Sequence, residues 1–108
     1  MKSKLEFALG IAKKAGAVRS GTETVRGEVR SGRASMVLIA CDASENTKKR
    51  LIGCCEYYKI PCVKIALSTS ALGDAVGKSG LVSAVSIAHH GVSRLVSDAL
   101  TDASAEEA

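Results

Sequence analysis

Four arginines, Arg19, Arg26, Arg30 and Arg33, fall within the stretch RSGTETVRGEVRSGR at residues 19–33. Guanidinium groups at this density suit a polyanion, because each offers a planar fork of donors to phosphate oxygens. The spacing gives a short helix with Val25 and Val29 inward and with Glu23, Arg26, Gly27 and Arg30 on the solvent side. Arg19 lies just before this helix and Arg33 just beyond it, so the whole forms a basic ridge. Ser20, Gly21 and Thr22 leave an open helix start suited to phosphate oxygens, and Gly27 removes a side chain where a backbone could approach closely. The pattern also fits a plain solvated face on which Glu23 and Arg26 merely neighbour each other, since the two glutamates are odd choices for gripping an anion.

Other constellations carry less. GDAVGKSG, residues 73–80, invites comparison with a nucleotide-phosphate loop, but Gly73 and Gly77 stand one residue too close for G-x-x-x-x-G-K-[ST]. A phosphate cradle also needs a strand before it and a helix after it, and the pattern here predicts the reverse. These glycines instead end a short helix and shape an exposed turn with Lys78, Ser79 and Gly80 at its tip. His89 and His90 diverge at a strand-to-helix turn with no thiol or carboxylate fixed nearby in sequence. Asp42 and Glu45 are accounted for as a helix cap. Cys41, Cys54, Cys55 and Cys62 contain no C-x-x-C pair and each sits in an apolar pattern, which favours buried reduced thiols over a disulfide or a zinc site. No nucleophile, base and orienting group fall into a shared site, so no catalytic residue, metal or cofactor is expected.

The elements that must position these residues fit one domain of 108 residues, 46% hydrophobic and 24% charged. The opening MKSKLEFALG has no apolar run long enough for a signal peptide or a membrane span, so a cytoplasmic protein with no membrane partner is expected. Residues 1–100 hold fifteen basic and eight acidic groups, a net +7, whereas TDASAEEA at 101–108 is an acidic tail expected to be disordered. The helix signals begin with a capping box of Ser3 and Glu6 and a face of Leu5, Ala8, Leu9 and Ala12, stopped by Gly16. Ser20 with Glu23 reads as a second capping box, and Asp42 with Glu45 as a third. SMVLIAC at 35–41 reads as a strand buried on both faces, followed by a helix with Leu51, Ile52, Cys55 and Tyr58 inward. CVKIA makes the next strand, STSALGDAVGK a short helix with Leu72, Ala75 and Val76 inward, LVSAVSIA a strand and HGVSRLVSDAL a closing helix. The order is α β α β α β α β α, which implies a largely parallel or mixed sheet covered by helices, a three-layer α/β/α sandwich.

The run SGTETVRGEVRSGRASMVLIACDASENTKKRL, followed by YYKIPCVKI and LGDAVGK, resembles the ribosomal protein L7Ae/L30e superfamily, in particular its bacterial YlxQ-like branch, over about residues 5–98. The resemblance implies an L30e-like fold with a mixed four-stranded sheet and a non-catalytic role on structured, ribosomal RNA, with ribosomal or translation-associated proteins as further partners. Many members grip kink-turns through a G-x-N-E-x-x-K pattern at the start of the second helix. Gly21 and Thr22 match that pattern, but Glu23 stands for its Asn, Thr24 for its Glu and Gly27 for its Lys. An ionised glutamate only accepts hydrogen bonds, whereas guanine O6 and N7 need a donor, which Arg26 could supply in part from a neighbouring position. The resemblance also places Ser44 where kink-turn binders carry an acidic group for a flipped base, and KSGL, Lys78 to Leu81, where they carry an apolar loop. The RNA-binding set it implies is Arg19, Ser20, Gly21, Thr22, Glu23, Arg26, Gly27, Arg30, Arg33, Ser44, Lys78, Ser79 and Gly80. The altered contacts leave a second outcome open, a protein-interaction module that keeps the fold without specific kink-turn binding.

Overall fold

Alternation of side chains along two short strands sets the layers of this protein. In the computed structural model, which describes residues 3–107 and their side chains through Leu100, strand β2 (Met36–Ile39) sends Met36 and Leu38 to one face and Val37 and Ile39 to the other. Strand β4 (Ala84–Ile87) does the same with Val85 and Ile87 against Ala84. Because both faces are covered, β2 is apolar throughout instead of alternating, as expected for a doubly buried strand, and in β4 only the buried Ser86 is polar.

The remaining elements are helix α1 (Lys4–Lys14), strand β1 (Val18–Ser20), α2 (Thr22–Arg30), α3 (Glu45–Tyr58), β3 (Cys62–Lys64), α4 (Thr69–Ala75) and α5 (His90–Glu107), in the order expected. The sheet order is β1-β4-β2-β3, antiparallel at β1/β4 and β4/β2 and parallel at β2/β3. The sheet is therefore mixed, with one parallel pairing, because β4 inserts between β1 and β2 and runs against both. Helices α1, α4 and α5 cover one face through Leu5, Leu9, Ala12, Leu72, Val76 and Val96. Helices α2 and α3 cover the other through Val25, Val29, Leu51 and Cys55. The result is the three-layer α/β/α sandwich.

The core is aliphatic. The chain's three aromatic residues all stand on the surface: Phe7 is 68% exposed, Tyr57 79% and Tyr58 42%. Tyr58 thus departs from the expected inward stripe, while Leu51 and Cys55 keep to it.

Caps show where local sequence and tertiary contacts compete. Ser3 and Glu6 make the expected capping box on α1. The expected box of Ser20 and Glu23 does not form. Ser20 is the last residue of β1, paired with Val85, and Gly21 caps α2 with φ +101° and no side-chain bond. The Gly21 amide donates to the Ala84 carbonyl at 3.1 Å, so strand pairing extends past Ser20 and the turn into α2 falls on a residue that tolerates positive φ.

The third box is also replaced. Ser44, in an extended conformation, caps α3 by accepting from the Thr47 amide at 3.1 Å. Asp42 turns away and accepts from the Thr69 amide at 2.6 Å and the Thr69 hydroxyl at 3.3 Å, tying the start of α4 to the end of β2. Ser44→Ala is expected to lower stability by about 1 kcal/mol in chemical denaturation, the usual cost of a lost N-cap.

The backbone of α5 is helical to Glu107, while the side chains from Thr101 onward and all of Ala108 lie outside the described residues. The acidic tail expected to be disordered at 101–108 falls on these residues, whose backbone continues α5 as far as Glu107.

Candidate nucleic-acid interface

Strands β1, β2 and β3 end, and β4 begins, at one edge of the sheet, and α2, α3 and α4 all start there. Three helix N-termini therefore converge with their positive dipole ends. Two are satisfied by side chains: Ser44 caps α3, and Ser68 caps α4 by accepting from the Ala71 amide at 3.1 Å. Helix α2 has no side-chain cap, so its first amide groups stay available to an external acceptor.

Facing this open end is the tip that follows α4. Gly77 and Gly80 adopt φ +71° and +109° there, which bends the chain back toward β4. The Lys78 amide donates to the Gly73 carbonyl at 2.8 Å, the Val82 amide to Thr69 at 3.1 Å, and the Ala40 amide to Ser83 at 2.9 Å. Gly73 is buried beneath the Gly80 carbonyl, where a β-carbon would collide with it. The tip is therefore anchored at both ends while Lys78, Ser79, Gly80 and Leu81 stay exposed. Ser20, Gly21 and Thr22 line an open groove of about 400 Å³ together with Lys78, Ser79, Leu81, Val82 and Ser83. The two segments singled out in the sequence thus meet, and Val82 and Ser83, which no local signal marks, complete the groove.

The arginines divide instead of forming one ridge. Arg26 donates to both Glu23 oxygens at 3.3 Å, and Arg50 of α3 reaches the same carboxylate at 3.2 Å. On the other flank Arg33 pairs with Glu28 at 2.8 Å, and Arg19 approaches Glu28 at 3.9 Å while donating to the Val18 carbonyl at 3.1 Å. Glu23 and Glu28 lie about 140° apart around the helix, which is why the cations sort to two sides. The Glu28 side chain is 12% exposed, so Arg19 and Arg33 are held away from the groove. The Glu23 side chain is 73% exposed, and an ion pair in that setting is worth about 0–1 kcal/mol, weak enough for a phosphate to compete. Arg30 is exposed and has no ion pair among the described residues, and Gly27 faces open space. Glu28 and Arg50 are ion-pair partners of these arginines and of Glu23 that the sequence pattern does not disclose.

Ser44 sits at the same sheet edge, but its hydroxyl is engaged by Thr47: it accepts from the amide and donates to Oγ1 at 2.9 Å. His89 and His90 are exposed at the start of α5, and among the described residues no group of three or more His, Cys, Asp or Glu could hold a metal ion. The cysteines are free thiols, but Cys55 alone is fully buried; Cys41 is exposed at the strand end. Interaction with Cys62 and burial push the Cys55 thiol far above the ordinary thiol range, while the same interaction lowers Cys62 against the opposing effect of burial. No described helix is long and apolar enough to cross a membrane.

This α/β/α sandwich leaves one helix start uncapped across a groove from a glycine-bent tip that carries Lys78. The chain belongs to the ribosomal protein L7Ae/L30e/S12e/Gadd45 family, whose sequence profile matches residues 3–97. It is 43% identical over 74 residues to the RNA-binding protein YlxQ of Bacillus subtilis, covering 68% of this chain and 73% of that protein. The Enterococcus faecium RNA-binding protein YlxQ is 36% identical over 70 residues, 65% of this chain and 67% of that one. Among solved structures, a Bacillus halodurans protein of unknown function superposes with a TM-score of 0.85 at 30% identity, over 93% of this chain and 99% of that one. The 15.5kD RNA binding protein of Giardia lamblia superposes with a TM-score of 0.76 at 26% identity, over 94% of this chain and 86% of that one.

Proposed function

We propose that this chain is a non-catalytic, cytoplasmic RNA-binding protein associated with the ribosome, and that it grips structured RNA in the groove between the α2 N-terminus and the Lys78–Leu81 tip. The observation that carries this reading is the uncapped start of α2 across one groove from Lys78 and Ser79, with Arg26 and Arg30 on the adjoining flank. Gly21 and Thr22 admit the RNA backbone, the α2 amides and Lys78 hold phosphate oxygens, and Arg26 and Arg30 reach phosphates or base edges. Arg19 and Arg33 support the fold of this region through Glu28 and contribute only long-range charge. The relatives named RNA-binding proteins support the same reading. Ultraviolet crosslinking in cells, with sequencing of the crosslinked peptides, is expected to map to residues 20–30 and 78–81 on ribosomal RNA. Crosslinks confined to other surfaces would refute the assignment.

Kink-turn selectivity is expected to be weak. Glu23 presents an acceptor where guanine needs a donor, and Gly27 presents nothing. Each base edge left without its donor forfeits about 1–3 kcal/mol of discrimination, so a kink-turn and a plain duplex of equal length are expected to bind within about ten-fold of each other. Competition between the two RNAs measures this directly.

The exposed Glu23 carboxylate, bridging Arg26 and Arg50, also favours a second reading in which the same surface docks a translation-associated protein. Under that reading a pull-down keeps its partner after nuclease treatment; under the first it loses it.

A further inference from the structure

The exposed face of α3 is built from residue types that the groove does not use. Around the helix, Arg50, Gly53 and Tyr57 share one side at i, i+3 and i+7, with Lys49 beside them, and all four are exposed. Tyr57 is 79% exposed in a chain whose core contains no aromatic residue, so its ring contributes nothing to packing of the fold. It is braced all the same: the Tyr58 ring lies 4.9 Å away at 71°, an edge-to-face contact that limits where Tyr57 can swing.

Gly53 lies between the cations and the ring. No atom lies within 4 Å of where its β-carbon would be, and its φ is negative, so neither packing nor conformation calls for glycine. A glycine inside a helix costs about 1 kcal/mol relative to alanine, and here it leaves the helix backbone bare between a guanidinium and an aromatic face.

This face is continuous with the groove. The Arg50 side chain is 48% exposed and its guanidinium bonds Glu23 at the start of α2, so the two surfaces share a charged boundary. From Arg50 to Tyr57 the helix rises about 10 Å, the span of about three stacked nucleotides at ~3.4 Å each. Cations that track a backbone toward a presented aromatic ring form the recognition pattern for unpaired nucleotides, which stack on the ring whatever their sequence. A protein surface would be served equally by the tyrosines, but it has no need of the cationic approach from the groove. The basic run favours RNA.

We propose that the Lys49–Tyr57 face of α3 is a second RNA subsite, which holds a single-stranded segment leaving the structured element bound at α2. The proposal rests on the RNA-binding reading of the groove. Lys49 and Arg50 neutralise its phosphates, Gly53 lets the strand lie against the helix, and Tyr57 stacks on a base.

The test uses the full chain and a short RNA hairpin, blunt or extended by about ten unpaired uridines at either end. The extension is expected to tighten binding about ten-fold, with Tyr57→Ala abolishing that gain while the blunt hairpin binds as before. Tyr57 and Tyr58 are the chain's only tyrosines and it has no tryptophan, so intrinsic emission reports on this face alone. In a Tyr58→Phe variant, binding of the extended hairpin is expected to quench the remaining emission and the blunt hairpin to leave it unchanged. A blunt hairpin that binds, with no gain from either extension or a gain that survives Tyr57→Ala, overturns the subsite and spares the groove. Failure of both hairpins to bind overturns the groove and the subsite with it. Formation of a complex with ribosomal proteins that depends on Tyr57, with emission indifferent to the extended RNA, assigns the face to protein and also overturns the proposal.

Discussion

Replacing Arg26 and Arg30 together by alanine is expected to weaken binding to structured RNA about a hundred-fold at low salt, since each removes an interaction worth about 1–3 kcal/mol. The dependence of affinity on salt should fall in parallel, by about one unit of log–log slope for each phosphate that is no longer neutralised. Neither side chain belongs to the apolar core, which on this side of the sheet includes Val25 and Val29, but the Arg26 side chain is only 27% exposed, so a fall in melting temperature of a few degrees is expected from its lost packing. The informative control is Arg19→Ala with Arg33→Ala. It removes the same formal charge from the far flank, where both guanidiniums are occupied by Glu28. A loss of only a few-fold in affinity is expected there from long-range field, together with some loss of stability because the largely covered Glu28 is left without its cations. Equal losses in the two double variants would mean that net charge and not the α2 flank drives association.

The second large effect is on stability and tests how the tip is held. In Gly73→Ala the added methyl meets the Gly80 carbonyl oxygen, a backbone atom that moves only if the Gly77–Gly80 turn moves with it. Overpacking of this kind costs about 1–3 kcal/mol, and the upper end is expected because the obstacle is main chain. Thermal denaturation should show a fall of about 4–8 °C for each kcal/mol in a domain of this size. RNA affinity should fall as well, since Lys78 and Ser79 are carried by the displaced turn. Gly27→Ala gives the opposite result in the same assay. Its β-carbon enters open space on a helix with ordinary φ, so a gain of up to about 1 kcal/mol in stability is expected. An unchanged melting temperature for Gly73→Ala would contradict the packing described for the tip.

Helix faces, strand positions and element order were legible in the sequence because each depends on periodicity within one segment. Leu5, Leu9, Val25, Val29, Leu51 and Leu72 all face inward as their spacing requires. The caps were less legible. Ser20 carries the right side chain for capping, but the pairing of Ser20 with Val85 keeps it in β1, and a residue 65 positions away in sequence cannot be read from a local motif. The same limit applies to Asp42, drawn to Thr69 across 27 residues, and to Ser44, whose role as cap follows from that displacement.

At the candidate site both sides of the groove carry a glycine signal in the sequence, Gly21 on one and Gly77 with Gly80 on the other, and the fold brings the two segments together. The split of the arginines was hidden. It follows from where Glu28 and Glu23 point and from Arg50 arriving off another helix, and no spacing rule relates Arg50 to Glu23 or Arg19 to Glu28. The departures from the kink-turn pattern were visible as letters, but the clamping of Glu23 by two guanidiniums emerges only in three dimensions.

The central claim is that the α2 edge of this domain binds RNA by neutralising phosphates. An equilibrium titration of the protein with a structured ribosomal RNA fragment, repeated from about 50 to 200 mM monovalent salt, tests it most directly. Saturable binding whose log affinity falls by about two to three for each unit of log salt is the predicted result, matching phosphate neutralisation by Lys78, Arg26 and Arg30. No saturable binding at the lowest salt, or an affinity indifferent to salt, would contradict it.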